Sequence, residues 1–226
     1  MITFYFHTSP NPMKVALYLE ETGLPYQLAP VDPLMGEQHT PDYRAINPNG
    51  KVPAIEDDGV RVFDSSAILL YLSEKTGQLA GAPEERAEML SWMMFIATGL
   101  GPYSGQSVHF RHAAPELPYA INRYLREAQR HYEVLNTHLE NRHYIVGSEY
   151  SIADVAAWGW IDKAAVVLGE EGLAPYSNLQ RWFANIESRP AVARARKIGK
   201  DIKFKADFDE QAKRAFFPQN YPEKAQ

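Results

Sequence analysis

The chain has 226 residues, of which 45% are hydrophobic and 23% are charged, and its formal net charge is −5 at pH 7. These values are ordinary for a globular protein with one large domain or two small ones. Nucleic acids and anionic membranes attract basic surfaces, so this composition predicts neither as a partner. No apolar run approaches the roughly 20 residues that cross a bilayer, and residues 1–10 lack a signal-peptide pattern, so we expect a cytoplasmic protein.

The sequence contains no cysteine. This excludes disulfide bonds, redox-active cysteine pairs and thiolate metal sites, although it does not identify a compartment. His109 and His112 are spaced like two metal ligands, but no suitable third ligand follows them, and we expect no metal. The chain also has no thiolate nucleophile of its own.

Strand and helix patterns alternate along the first part of the chain. Residues 2–6 and 26–31 are rich in β-branched and aromatic side chains, which predicts two strands. A helical pattern that ends at Gly23 lies between them. This βαβ order predicts two parallel, adjacent strands.

A hairpin and a second helix are predicted next. Residues 32–50 are rich in loop formers, with room for one short helix. Residues 52–55 and 60–63 flank an Asp-Gly step, which is typical of a β-hairpin. Asp64 then supplies the N-cap of a helix that ends at a glycine. The order becomes β-α-β-(α)-β-β-α.

The remainder of the chain is predicted to be helical. Apolar residues recur at helical spacing in four segments, residues 84–98, 118–141, 152–168 and 178–198. We therefore predict an α/β domain over residues 1–78, an all-α domain over 84–200 and a C-terminal extension over 201–226. Aromatic residues in the extension suggest that it packs on the body of the protein.

Two features of the first domain suggest a site for an amino-acid-like ligand. If the Val52–Pro53 peptide bond is cis, the backbone of Val52 can point into a cleft and pair with a peptide. The alternative is an ordinary edge-strand proline. Asp64 and Ser65 begin a helix, where free N–H groups favour a carboxylate and Asp64 can hold an ammonium. The alternative here is a simple N-cap.

A third feature is the loop Thr8-Ser9-Pro10-Asn11, between the first strand and its helix. Hydroxyl and amide donors beside a helix N-terminus can stabilise a thiolate. The alternative is a solvated turn, because serine, proline and asparagine are common turn residues.

Together these residues resemble the cytosolic glutathione transferases, and most closely the bacterial Nu class of glutathione-dependent disulfide-bond oxidoreductases. The resemblance runs from residue 1 to about residue 198. The motifs that carry it are Ser9-Pro10-Asn11, Asn47-Pro48-Asn49-Gly50-Lys51-Val52-Pro53, Phe63-Asp64-Ser65, Gly99-Leu100-Gly101-Pro102, His109-Phe110, Pro118-Tyr119-Ala120-Ile121-Asn122-Arg123-Tyr124 and Tyr150-Ser151-Ile152-Ala153-Asp154.

The resemblance implies a thioredoxin-like N-terminal domain and a role for each matching residue. Asn11, with a neighbouring hydroxyl, would contact the glutathione sulfur. Relatives have threonine where this chain has Ser9, so Thr8 becomes a rival for that hydroxyl. The other implied glutathione contacts are Gln38, Lys51, Val52, cis-Pro53, Asp64, Ser65 and, from the helical domain, Arg123.

The resemblance also implies a homodimer that reduces small disulfides with glutathione, binding either glutathione or its oxidised form. One alternative is a transferase that conjugates glutathione to apolar electrophiles, with an acceptor pocket built from Met93, Phe95 and Tyr103. Another is a non-catalytic interaction protein, which would lose the residues implied above.

Two further features are interpreted as structural. Ser151 and Asp154 have the spacing of a capping box, which would start a helix. The four tryptophans lie in helical patterns and are expected to pack in the core or at an interface.

Overall fold

The computed structural model describes residues 1–221. Its first part contains four strands, β1 (Ile2–Phe6), β2 (Tyr26–Pro30), β3 (Ala54–Asp57) and β4 (Val60–Phe63). They form one mixed sheet in the order β2-β1-β3-β4. β1 pairs with β2 in parallel, and the other two pairings are antiparallel. In β1, Phe4 lies opposite Leu28 of β2 on one side and Ile55 of β3 on the other.

Helices connect and cover this sheet. The first helix has proline at its start and ends at Gly23, which has a φ of 69°. The third is capped by Asp64 and ends at Gly77, with a φ of 71°. Both glycines adopt the left-handed conformation that commonly ends a helix. The helices are α1 (Pro10–Thr22), α2 (Pro41–Ile46) and α3 (Ser65–Thr76).

The predicted hairpin is present, but its first strand begins two residues later than expected. β3 starts at Ala54 rather than Val52. Because Pro53 has no N–H, it cannot donate to a ladder hydrogen bond. The backbone of Val52 is thus left outside the sheet.

The second part of the chain is helical, as predicted, with more helices than the sequence indicated. The segments 152–168 and 178–198 each form two helices rather than one. None of the helices described within residues 1–221 is long and apolar enough to span a membrane. The helices are α4 (Arg86–Phe95), α5 (Gly101–His112), α6 (Pro118–His138), α7 (Ile152–Ile161), α8 (Ala164–Leu168), α9 (Ser177–Glu187) and α10 (Pro190–Ala195).

The predicted capping box at the start of α7 is confirmed. The carboxylate of Asp154 accepts hydrogen bonds from the backbone N–H and the hydroxyl of Ser151, at 3.0 and 3.2 Å. It also accepts one from the indole of Trp182, at 2.7 Å, and one from the N–H of Ile145, at 3.0 Å. Asp154 is fully buried, so these four donors tie α7, α9 and the preceding loop together.

The C-terminal extension packs on the first domain, as its aromatic residues suggested. The backbone N–H of Lys205 donates to the carboxylate of Asp32 at 2.7 Å. The ring of Phe204 contacts His7, with centroids 4.6 Å apart. A short helix that the sequence did not predict, α11 (Glu210–Phe216), follows.

The extension then reaches the helical domain. The ring of Phe217 packs edge-on against His109 of α5, with centroids 4.7 Å apart. The extension therefore contacts both parts of the protein. The predicted domain boundaries stay predictions, and residues 222–226 of the extension lie outside the described residues.

Candidate active site

The start of α1 offers a hydrogen-bond donor at Asn11. Pro10 and Pro12 have no N–H, and the N–H of Met13 already donates to the carbonyl of Ser9 at 3.3 Å. The backbone N–H of Asn11 is thus the first-turn amide left without a partner among the described residues. Because helix N-termini favour negative charge, this amide and the Asn11 side chain form a site suited to an anion.

Two hydroxyls lie beside this amide. Thr8 is exposed and Ser9, the N-cap of α1, is half-buried. Ser9 makes no side-chain capping bond, and neither hydroxyl has a partner among residues 1–221. Either hydroxyl is therefore available to a ligand, and the choice between them stays open.

The Val52–Pro53 bond is cis, as the resemblance implied. The carbonyl of Lys51 accepts hydrogen bonds from the hydroxyl of Tyr43 at 2.7 Å and from the amide of Asn47 at 2.5 Å. The loop is therefore held in place just before Val52. The backbone N–H and C=O of Val52 have no partner within the described part of the chain, so both can pair with a peptide.

Asp64 combines the roles of helix cap and potential ligand. Its Oδ1 accepts from the N–H groups of Ser66 and Ala67, at 2.9 and 3.3 Å. Its φ of 72° is a conformation that residues with a side chain rarely adopt, and such backbone strain often marks a functional site. Asp64 is exposed, so its second oxygen remains accessible for an ammonium.

One cleft brings most of these residues together. It is lined by Asn11, Asn47, Asn49, Lys51, Val52, Pro53, Asp64 and Ser65. The three features that the sequence singled out therefore share a single site, which combines the amide groups of Asn11 with the carboxylate of Asp64 and the N-terminus of α3. Such a site complements an extended, zwitterionic peptide.

Four of the implied residues do not line this cleft: Thr8 and Ser9, which precede Asn11 in the chain, and Gln38 and Arg123. Gln38 is buried, and its amide donates to the carbonyl of Pro33 at 3.2 Å. Arg123 lies on an exposed face of α6, where it forms an ion pair with Glu127 at 2.9 Å. Their roles toward glutathione stay predictions.

Lys14 is a buried residue that the sequence motifs do not include. Its ammonium donates to the hydroxyl of Ser65 at 3.5 Å, and the side chain is only 2% exposed. Burial lowers the pKa of Lys14 to about 8, an effect that the nearby carboxylate of Asp64 opposes. A lysine among the apolar residues of α1, one turn before the buried Tyr18, was the available signal.

Trp160 is the second residue that was missed. The sequence placed it among packing tryptophans, and Trp158 and Trp182 are indeed buried in the core. Trp160 is instead half-buried, and its indole N–H donates to Oδ1 of Asn11 at 3.0 Å. No local pattern reveals this bond, because the two residues are 149 positions apart.

The structure contradicts part of the predicted acceptor pocket. Met93 is fully buried in the core and cannot line a pocket. The rings of Phe95 and Tyr103 both pack against His131, with centroids 5.0 and 5.1 Å apart. Within residues 1–221, no three potential metal ligands are placed to bind an ion together.

Comparison with known families identifies this architecture. Residues 8–75 match the family model for the glutathione S-transferase N-terminal domain, and residues 93–190 match that for the C-terminal domain. The chain therefore belongs to the glutathione S-transferase family of enzymes.

Two curated relatives carry the name disulfide-bond oxidoreductase, and both come from Escherichia coli K12. YfcG is 47% identical over 204 aligned residues, which cover 86% of this chain and 94% of that protein. YghU is 36% identical over 219 aligned residues, which cover 88% of this chain and 75% of that protein.

Solved structures of bacterial glutathione transferases are also similar. One from Burkholderia graminis, with two glutathione molecules bound per subunit, has a TM-score of 0.81 and 37% identity, with 88% of each chain covered. One from Pseudomonas putida, with one glutathione disulfide per subunit, has a TM-score of 0.80 and 35% identity, covering 87% of this chain and 91% of that one.

Proposed function

We propose that this protein is a glutathione-dependent disulfide-bond reductase. The observation that carries the proposal is a chain without cysteine whose cleft holds two donors of Asn11, its backbone N–H and its side-chain NH₂, at a helix N-terminus. The names of YfcG and YghU support the reaction class. The glutathione and glutathione disulfide in the related structures support the ligand.

The cleft residues account for binding of the tripeptide. The backbone N–H and C=O of Val52 pair with the cysteinyl residue of glutathione. The N–H and hydroxyl of Ser65 bind the γ-glutamyl carboxylate, and Asp64 binds the ammonium of the same residue. Charge-assisted hydrogen bonds of this kind are the stronger ones, so the γ-glutamyl end contributes most of the binding specificity.

Asn11 and a neighbouring hydroxyl activate the thiol. A thiolate is the reactive form in disulfide exchange, and donors at a helix N-terminus lower a thiol pKa. The amide of Asn11 and the hydroxyl of Ser9 or Thr8 donate to the sulfur and so favour its deprotonation. Binding also orients the thiolate, which converts a bimolecular attack into an effectively unimolecular one.

The reaction then proceeds without an enzyme-bound intermediate. The bound glutathione thiolate attacks one sulfur of the substrate disulfide; that S–S bond breaks, and the leaving thiolate takes up a proton. A second glutathione thiolate attacks the resulting mixed disulfide at the glutathione sulfur. The products are one glutathione disulfide and two substrate thiols, formed from one disulfide and two glutathiones.

The assembly and location of the enzyme form part of the same proposal. Glutathione is a cytoplasmic reductant, which favours a cytoplasmic location for an enzyme that uses it. The family resemblance favours a homodimer. Gel filtration with light scattering would decide the oligomeric state independently of activity.

The reaction class is tested by comparing two acceptors. We expect glutathione-dependent turnover to be faster with a model disulfide than with a chloronitrobenzene. Faster conjugation would instead identify a conjugating transferase. Absence of both activities, together with absence of glutathione binding in calorimetry, would identify a non-catalytic interaction protein.

The mechanism is tested by looking for covalent intermediates. Treatment with iodoacetamide followed by desalting should leave disulfide reduction intact, because the chain has no cysteine to alkylate. Intact-mass spectrometry during turnover should show unmodified protein. A glutathione adduct on the chain would mean that another side chain is the nucleophile.

A further inference from the structure

One hydrogen bond crosses from the helical domain into the cleft. The indole N–H of Trp160, on α7, donates to Oδ1 of Asn11, on α1, at 3.0 Å. Both residues are half-buried. The bond therefore connects a side chain that lines the cleft to one that the proposed chemistry does not use.

The chemistry of the two groups fixes the orientation of the Asn11 amide. An indole nitrogen is a donor and never an acceptor, so it can pair only with the oxygen of an asparagine. The amide oxygen faces Trp160, and the NH₂ group is held on the opposite side. Without this bond the amide can rotate by 180° and present either its oxygen or its nitrogen to a ligand.

The surrounding structure holds the Trp160 ring in this position. Gly101 of α5 leaves space for it, because a Cβ atom added there would lie 3.1 Å from the indole nitrogen. A Cβ atom added at Gly159 would lie 2.6 Å from the carbonyl oxygen of Pro10. The small residue at position 159 thus lets α7 approach α1 closely and brings Trp160 within reach of Asn11.

We propose that Trp160 is a positioning residue: it holds the Asn11 amide so that the NH₂ group, and not the oxygen, faces the glutathione thiolate. This inference rests on the proposed role of Asn11. A carbonyl oxygen in that place would repel a thiolate, whereas a fixed donor stabilises it without reorganisation during the reaction. The helical domain therefore helps to activate a thiol that is bound mainly by the first domain.

A double-mutant cycle tests the proposal. Trp160→Phe keeps an aromatic ring and removes the donor. It should raise the pKa of the thiol of bound glutathione, followed by ultraviolet absorbance against pH, and slow disulfide reduction about tenfold, as expected for one lost hydrogen bond. Asn11→Ala should have the larger effect. In the Asn11→Ala background, Trp160→Phe should change neither quantity.

Matched controls separate positioning from a general loss of structure. Trp92→Phe removes another half-buried indole, one that packs against Phe95, and should leave the thiol pKa unchanged. S-methylglutathione has no free thiol, so Trp160→Phe should bind it as tightly as the wild type does. An unchanged thiol pKa in Trp160→Phe, or an equal shift in the Asn11→Ala background, would overturn the proposal.

A second measurement keeps Trp160 in place and is independent of glutathione. The chain has four tryptophans, so ¹⁵N labelling of tryptophan gives four indole N–H signals. One of them, assigned by its loss in Trp160→Phe or by through-space contacts, should shift upfield in Asn11→Ala. If the signal does not shift, the hydrogen bond does not form and the positioning role is rejected. If the signal shifts but the wild type does not reduce disulfides, only the proposed function is rejected.

Discussion

The ammonium of Lys14 lies 3.5 Å from the hydroxyl of Ser65, inside the domain that forms most of the cleft. The lysine is fully enclosed, and the serine is the first residue of α3. A buried positive charge therefore stands directly behind the helix N-terminus that is proposed to bind the γ-glutamyl carboxylate. Burial of this charge lowers the stability of the fold, whereas the charge itself favours the binding of an anion.

Replacement of Lys14 should stabilise the fold. Burial lowers its pKa from 10.5 to about 8, so between these values the unfolded chain holds more protons at this position than the folded chain. The wild-type free energy of unfolding should therefore rise as pH increases through this window. Lys14→Met should abolish that rise and add on the order of 3 kcal/mol at pH 7. Urea unfolding at several pH values would measure both; a lower stability at pH 7 would contradict this prediction.

The same variant should bind glutathione less tightly. In the wild type, the affinity for S-methylglutathione should fall as pH rises through about 8, because Lys14 loses its charge. Lys14→Met should bind S-methylglutathione more weakly than the wild type at pH 7, and its affinity should not show this fall near pH 8. Calorimetry would measure both affinities, and comparing the two proteins cancels the effect of titration of the ligand itself. Parallel pH profiles for the two proteins would show that Lys14 does not contribute to binding.

Asn11 should matter more for the chemical step than either hydroxyl. Loss of one preorganised donor to a developing or stable anion slows reactions by about 10²-fold, and we expect this effect of Asn11→Ala on disulfide turnover. Ser9→Ala and Thr8→Ala should each have a smaller effect, with the larger of the two identifying the hydroxyl at the sulfur. Steady-state kinetics at saturating glutathione measure this ranking. Equal rates for all four proteins would remove the α1 N-terminus from the mechanism.

Asp64 allows its capping role to be separated from its charge. Asp64→Asn keeps an oxygen for the N–H groups of Ser66 and Ala67, whereas Asp64→Ala loses the cap and about 1 kcal/mol of stability. Both variants should bind glutathione at least tenfold more weakly, because both lose the carboxylate. Thermal unfolding together with calorimetry would measure the two effects. Wild-type affinity in Asp64→Asn would show that its charge does not contact the ligand.

Asp154 should be required for folding rather than for catalysis. Asp154→Ala leaves the buried donors of Ile145, Ser151 and Trp182 without their acceptor, at about 1–3 kcal/mol each. We expect a loss of at least about 3 kcal/mol in the free energy of unfolding, measured by urea denaturation. Asp154→Asn should lose less. The folded fraction of either variant should retain glutathione affinity, and a selective loss of turnover would instead give Asp154 a catalytic role.

The sequence predicted those parts of the fold that have local causes. The strands β1 and β4, the hairpin turn and the glycine ends of α1 and α3 follow from residue types within a few positions. Helix α5 was missed because Gly101, Pro102 and Gly105 favour a helix poorly. Packing decides its structure instead, since Gly101 leaves room for the ring of Trp160.

The candidate site divides in the same way. Asn11, the Val52–Pro53 step and Asp64 were recognisable because each depends on a turn or a helix end nearby in the sequence. Lys14 and Trp160 were not recognisable. In a sequence, a lysine in a helix suggests a solvent-exposed side chain, and a tryptophan suggests a side chain that packs in the core. Only the meeting of α7 with α1 gives Trp160 its partner, and no pattern of spacing predicts such a contact.

The C-terminal extension has a consequence for the order of folding during synthesis. Its hydrogen bond from Lys205 to Asp32 joins residues 173 positions apart, and Phe217 lies further still along the chain. Because a ribosome makes the N-terminus first, the sheet can form long before these contacts exist. The segment that touches both domains is made after both of them. The residues that line the cleft, all between positions 11 and 65, are therefore synthesised well before the extension that packs on their domain.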